Sequence, residues 1–191
     1  YRRAKSLLRA CQYIHFELKG KFPKEIEKLL EIPGIGPYTA SALTAIGRDE
    51  KALAVDANLE RVLARYYGFN VEKGPKLQKF IREKFDDKEI LNFQDKLSYR
   101  DLNEALMDLG RQYCRAKRAD CMLCPLNSNC VAFKTGRSLE LPVVKEAKKK
   151  KEWHDLELIR VIMKDGDKLL GYQKENDQWL SGQYEIPTFI L

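Results

Sequence analysis

Four cysteines near the middle of the chain, Cys114, Cys121, Cys124 and Cys130, follow a C-x6-C-x2-C-x5-C pattern. That spacing forces the segment into one compact loop. The chain holds five cysteines, and an odd count with four clustered favours a metal site in a reducing compartment over a disulfide framework. Zinc sites usually come as two close ligand pairs. Here only Cys121 and Cys124 are close, and the outer two arrive across loops of six and five residues. One loop wrapping a single object from four sides suits a four-iron, four-sulfide cluster, for which four thiolates are the ordinary ligands. On spacing alone, zinc and unligated thiols stay open. Cys11 is left as a lone thiol.

Between the first two cysteines lies Arg115-Ala-Lys-Arg-Ala-Asp120, with Arg111 one turn upstream. Arg115, Lys117 and Arg118 on a ligand-tethered loop either offset an anionic cluster in solvent or contact phosphates. The whole chain leans the same way: 35 Lys and Arg against 28 Asp and Glu, a formal charge of +7. Such a balance suits a polyanionic partner. Apolar residues make up 44%, enough for a core and against global disorder. No stretch reaches membrane-span length and no signal peptide is visible. The chain opens on Tyr1 and closes on Leu191 within an apolar run, which reads as an internal piece of a longer protein.

Up to about Arg137 the patterning is helical with short loops. Ala4, Leu7, Leu8, Cys11, Ile14, His15 and Leu18 fall at i, i+3, i+4, i+7 spacing and predict the inward face of a helix over 2–18. Cys11 is then expected as a core thiol and His15 as a satisfied core histidine. Gly20 ends that helix, and Pro23 starts the next, to Leu30. A helix from Pro37 to Ile46 follows a Pro33–Gly36 turn. Ala57 to Tyr67 forms another, with Leu59, Val62 and Leu63 inward and Gly68 as its stop. Ser98-x-x-Asp101 caps a helix bearing Leu102, Ala105, Leu106 and Leu109 that delivers Cys114. After Leu141-Pro142 the character changes. Lys145 to Lys151 is charge-dense without apolar periodicity, a solvated linker. Leu156, Leu158, Val161 and Met163 predict a strand, Asp165-Gly166 a hairpin turn, and Lys168 to Gln173 its partner.

Two smaller constellations carry chemistry. Pro33-Gly34-Ile35-Gly36 between two helices allows the backbone to approach a phosphate closely, with the amides of the following helix pointing at it; a plain tight turn is the alternative. Thr39 lies in that helix's first turn. Downstream, Ala54-Val-Asp-Ala-Asn58 puts Asp56 just before a helix, as an N-cap. A carboxylate fixed there is also the group needed beside a sugar C1′ that turns cationic as a base departs.

Taken together, Ile32-Pro-Gly-Ile-Gly-Pro-Tyr-Thr-Ala40, Val55-Asp-Ala-Asn-Leu-Glu-Arg-Val-Leu-Ala-Arg65, Asn103-Glu-Ala-Leu-Met-Asp-Leu-Gly110 and Cys121-Met-Leu-Cys-Pro-Leu126 resemble the helix–hairpin–helix DNA glycosylases. Within them, the chain looks most like the A/G-specific adenine DNA glycosylases of the MutY family. The resemblance implies a mainly α fold, the helix–hairpin–helix glycosylase domain over 1–137 with a [4Fe-4S] cluster loop at 110–131. A basic linker over 138–152 and the start of a small α+β, Nudix-like 8-oxoguanine-recognition domain over 153–191 would follow. Leu169-Leu-Gly-Tyr and Trp179-Leu-Ser-Gly-Gln-Tyr-Glu-Ile-Pro187 carry the Nudix likeness.

By the same resemblance the reaction is hydrolytic removal of adenine opposite 8-oxoguanine or guanine, the base being flipped out of the duplex. Asp56 would stabilise the sugar cation, and Tyr38 and Asn58 would line the pocket. DNA contacts would come from Pro33, Gly34, Ile35, Gly36, Thr39, Arg111, Arg115, Lys117 and Arg118. Endonuclease III relatives carry a lysine where Tyr38 stands, and a phenol cannot form their Schiff base. Ala57 replaces the glycine usual after the aspartate. The family's acid, a glutamate, and an intercalating tyrosine are expected ahead of Tyr1, so the piece alone is expected to bind DNA weakly and not to excise adenine. The implied protein is a monomer acting on double-stranded DNA with no membrane attachment, in the cytoplasm at the nucleoid of a bacterium or in the nucleus or mitochondria of a eukaryote. A thymine or uracil mismatch glycosylase, a DNA-binding module without catalysis, and a zinc-binding interaction protein are the competing readings.

Overall fold

A computed structural model describes residues 2–91, 97–144, 155–178 and 180–190. The expectations that fall on Tyr1, the 145–151 linker, Trp153, Trp179 and Leu191 lie outside the described residues. The chain divides into two units, Tyr1–Glu146 and Ala147–Leu191.

The first unit is helical: α1 (Arg2–Phe16), α2 (Ile26–Leu30), α3 (Pro37–Ala42), α4 (Ala57–Tyr67), α5 (Pro75–Asp86), α6 (Tyr99–Gln112) and α7 (Val131–Lys134). Local chemistry sets most boundaries. Asp56 caps α4, accepting from the amides of Asn58 and Leu59, and Gly68 closes it in the left-handed region (φ 73°), where a Cβ is costly. Ser98 caps α6 by accepting from the Asp101 amide. The second helix begins at Ile26 with Glu25 as its N-cap, later than the Pro23 start expected. The helix from Pro37 loosens after Ala42 into a π-helical turn, Leu43–Gly47. Arg100 on α6 donates to the Ile46 carbonyl there.

The main core joins Leu53, Val55, Leu59, Val62 and Leu63 to Leu77, Ile81 and Phe85 of α5 and to Leu102 and Leu106 of α6. Ala105, expected inward, is exposed. A smaller core gathers Leu29, Ile32 and Ala40 with Ala10, Tyr13 and Ile14 of α1 and Leu18 just after it. This corrects the expected inward face of α1. Leu7 and Leu8 are 66% and 60% exposed, and Cys11 and His15 are exposed too. The reason is that α2 and α3 cover α1 only along its 10–13–14 stripe, which is rotated from the stripe running through positions 4, 7, 8 and 11.

Among the described residues of the second unit there are three short antiparallel pairs. They are β1 (Leu158–Arg160) with β6 (Thr188–Ile190), β2 (Lys164–Asp165) with β3 (Lys168–Leu169), and β4 (Tyr172–Gln173) with β5 (Tyr184–Glu185). A hairpin forms with its turn one residue on from the expected Asp165-Gly166: Asp165 pairs with Lys168, and Gly166 (φ 58°) and Asp167 make the turn. The strand expected over 156–163 shortens to β1 and finds its partner thirty residues on, with Leu158 facing Ile190 in register. No helix among the described residues is long and apolar enough to cross a membrane.

One buried side chain decides how the segment before α4 sits. Asn103 of α6, fully buried, accepts from the Ala54 amide at 2.8 Å and donates to the Ala52 and Tyr99 carbonyls at 3.1 and 2.7 Å. It pins the 52–55 run, which has no ladder of its own, and so fixes where Asp56 emerges. Asn103→Leu strands the buried Ala54 amide and Ala52 carbonyl and should cost about 3 kcal/mol, read as a lowered midpoint in urea unfolding with an unchanged slope.

Candidate functional site

Helix α4 organises the site because it carries charge at three levels. At its N-terminus the half-buried Asp56 uses Oδ1 for the Asn58 and Leu59 amides, both at 2.8 Å, while Oδ2 accepts from the Asn58 side chain at 2.9 Å. One turn on, Arg61 returns the contact, donating from Nη2 to Asn58 Oδ1 at 2.9 Å and to the Gly110 carbonyl at 2.8 Å. Its Nε reaches the Cys114 carbonyl at 2.5 Å. Burial lowers the Arg61 guanidinium from its usual value, while Cys114 and Asp56 pull it back up and Arg65 lowers it. In the last turn Arg65, 3% exposed, donates to the Leu141 and Arg115 carbonyls at 2.8 Å and to Cys114 Sγ at 3.3 Å. A continuous hydrogen-bonded path therefore runs from the Asp56 carboxylate through Asn58 and Arg61 to Cys114.

The four cysteines line one cavity together with Arg65, Tyr113, Phe133 and Ser138. Each is partly buried. Burial pushes the Cys124 thiol up, and Cys114, Cys130 and Cys121 push it further in the same direction, as thiols facing a shared space must. Cys121 Sγ lies 3.4 Å from Ser138 Oγ, and Cys130 Sγ lies 3.5 Å from the Arg65 carbonyl oxygen. Among the described residues no three Cys, His, Asp or Glu side chains converge as ligands of a single metal ion do. Between the first two thiols the loop folds on itself through a Cys114–Ala119 bridge. Arg115, Lys117 and Arg118 stand exposed on it, with Arg111 just before. Arg111 pairs with Asp108 and Arg118 with Asp120, at 3.0 and 3.1 Å; both pairs are solvent-exposed and worth little as stabilisation.

The hairpin glycines differ in what holds them. Gly34 has φ +87°, and a methyl group there would meet Ser6 Cβ at 2.8 Å, so it is required twice, by its backbone and by α1. Gly36 has ordinary extended angles (φ −100°, ψ 179°) and nothing within 4 Å of a would-be Cβ. It opens onto free space at the start of α3, where the Tyr38 and Thr39 amides have no acceptor within the helix. Pro33 is exposed, Ile35 and Thr39 half-buried, and Tyr38 is 43% exposed. The structure brings Asn58 to Asp56. Tyr38 stands on α3, with no hydrogen bond to Asp56 among the described residues.

Arg61, Arg65, Asn103 and Gly110 lie in stretches that carry the family resemblance, but none of them was given a role at the sequence level. The available signal was an Arg pair at i, i+4 inside a helix already apolar on its other faces, which marks buried cations needing partners. Gly110 has no local signal. A methyl group there would sit 2.7 Å from Asn58 Cβ, so the glycine allows α6 to touch α4 where the path passes.

The helix-hairpin-helix motif family matches residues 17–46. An adenine DNA glycosylase of Buchnera aphidicola subsp. Schizaphis graminum is 32% identical over 158 residues, which is 80% of this chain and 44% of that protein. One from Arabidopsis thaliana is 29% identical over 202 residues, covering 100% of this chain and 31% of that protein. The chain thus spans less than half the length of these relatives. Among solved structures, a thermostable thymine-DNA glycosylase superposes with a TM-score of 0.57 and 25% identity, over 70% of this chain and 59% of the other.

Gly110→Ala tests the close approach. In an ordinary helix interior the change stabilises by up to about 1 kcal/mol. Here the root of Asn58 cannot yield, so a net loss of about 2 kcal/mol is expected from overpacking. Thermal unfolding gives the sign directly.

Proposed function

The chain belongs with the MutY-like helix–hairpin–helix glycosylases, and on that premise we propose that the intact protein hydrolyses the N-glycosidic bond of adenine opposite 8-oxoguanine or guanine in duplex DNA. The observation that carries the proposal is the Asp56 carboxylate, held by two amides and the Asn58 side chain. It is restrained without being paired to a cation among the described residues, and its charge is available to a cationic sugar at C1′. Preorganised charge of this kind acts only as charge develops in the transition state. Asn58 holds the carboxylate's second oxygen, and Arg61 holds Asn58. Tyr38, a phenol, offers no amine for a covalent imine, which supports hydrolysis without strand cleavage.

The hairpin supports a phosphate contact that positions DNA without reading sequence. Pro33, Gly34, Ile35 and Gly36 form the turn, and Thr39 sits behind it. The exposed Arg111, Arg115, Lys117 and Arg118 supply a second basic contact. We assign Cys114, Cys121, Cys124 and Cys130 as ligands of a [4Fe-4S] cluster. The residues fit in kind: four thiols line one cavity, and four thiolates are the ordinary ligands of such a cluster. When bound, the cluster supplies metal–thiolate bonds that cross-link the basic loop to the end of α6. The 8-oxoguanine preference is assigned to the second unit as a Nudix-like domain, supported by the match of the Arabidopsis relative across this whole chain.

Three measurements test this reading. In the intact protein Asp56→Asn should lower single-turnover excision of adenine opposite 8-oxoguanine by at least about 100-fold while leaving duplex affinity nearly unchanged. Retained turnover removes Asp56 from the chemistry. The likeness to a thymine-DNA glycosylase makes a G:T duplex the comparison substrate, and faster release of thymine there would reassign the base. Gly36→Ala should melt normally, since its Cβ meets nothing, but bind duplex DNA about tenfold more weakly, the size of one lost hydrogen bond.

A further inference from the structure

We propose that Arg65 is a positioning residue for the metal cluster, a buried cation that holds the first ligand sulfur and sets the cluster's reduction potential and its resistance to loss. The inference rests on the cluster assignment above. Its observation is independent: a guanidinium 3% exposed with no carboxylate paired to it among the described residues. Burying an unpaired cation is expensive. Carbonyls of Leu141, Arg115 and Ala116, at 2.8, 2.8 and 3.3 Å, satisfy its N–H groups but bring no net negative charge. The remaining contact is Nη1 to Cys114 Sγ at 3.3 Å. The anion that balances this cation is then the thiolate itself, which exists at neutral pH when metal holds it.

The planar fork explains the choice of residue. Arg65 spans Leu141, beyond the cysteine segment, and Arg115–Ala116, near its start, which a lysine's single ammonium cannot do. A hydrogen bond and a positive charge at a ligand sulfur both favour the more reduced, more negative cluster. Removing them lowers the potential and exposes the Fe–S bond to competing ligands.

The test uses the intact protein purified without oxygen, with R65Q and R65K beside the parent. Iron and sulfide per chain, bleaching of the visible band under an iron chelator, and the potential by protein-film voltammetry are measured. R65Q should bleach about 10- to 100-fold faster and show a lower potential. R65K, which keeps the charge but not the fork, should fall between R65Q and the parent. Voltammetry reads only loaded molecules, so partial misfolding of R65Q does not mask the shift. Loaded variants whose potentials match an iron-containing parent overturn the role of Arg65 and leave the cluster standing. A parent without iron overturns the cluster and Arg65 together.

Discussion

Two arginines buried on one helix dictate the layout of the first unit. Arg61 and Arg65 lie four residues apart and so share a face of α4, and neither can be left unsatisfied in the interior. Most of their donors are met by carbonyls at Gly110, Cys114 and Arg115, at the end of α6 or in the cysteine segment, and one by Leu141 beyond it. The cost of burying charge is offset only if that segment folds as it does. Helix α4 therefore holds the loop in place, and the same helix presents Asp56 at its other end.

This arrangement gives the proposed cluster a structural consequence at the carboxylate. Cys114 is touched through its carbonyl by Arg61 and through its sulfur by Arg65, and Arg61 also holds the Asn58 amide that steadies Asp56. A shift of Cys114 moves groups two hydrogen bonds from the carboxylate. The close contact at Gly110 makes the coupling stiff, since α4 and α6 have no slack there. The hairpin is built on different terms. Gly34 is spent on packing against α1, whereas Gly36 leaves open space, so the two glycines of one motif serve the fold and the surface separately.

Much of the fold was legible because it rests on short-range chemistry. The Asp56 and Ser98 caps, the Gly68 stop and the turn at Gly166 each depend on residues within four positions, and sequence patterns report such interactions well. The reading of α1 failed for a complementary reason. Its apolar residues outnumber what one side can bury, so periodicity could not choose between two overlapping stripes. The positions of α2 and α3 chose, leaving Cys11 and His15 in solvent. The strand over 156–163 was likewise shortened by its register with β6, thirty residues distant.

The sequence by itself determined which chemical groups are present and in what local frames: four thiols on one loop, a carboxylate at a helix start, a Gly-rich turn before another helix. Tertiary structure alone decided what those groups face. Arg65 meets Leu141 across 76 positions and Cys114 across 49, and Asn103 reaches Ala54 across 49. No local propensity encodes contacts of that separation. They arise because buried cations and amides must find partners wherever packing brings carbonyls, thiols and N–H groups within reach.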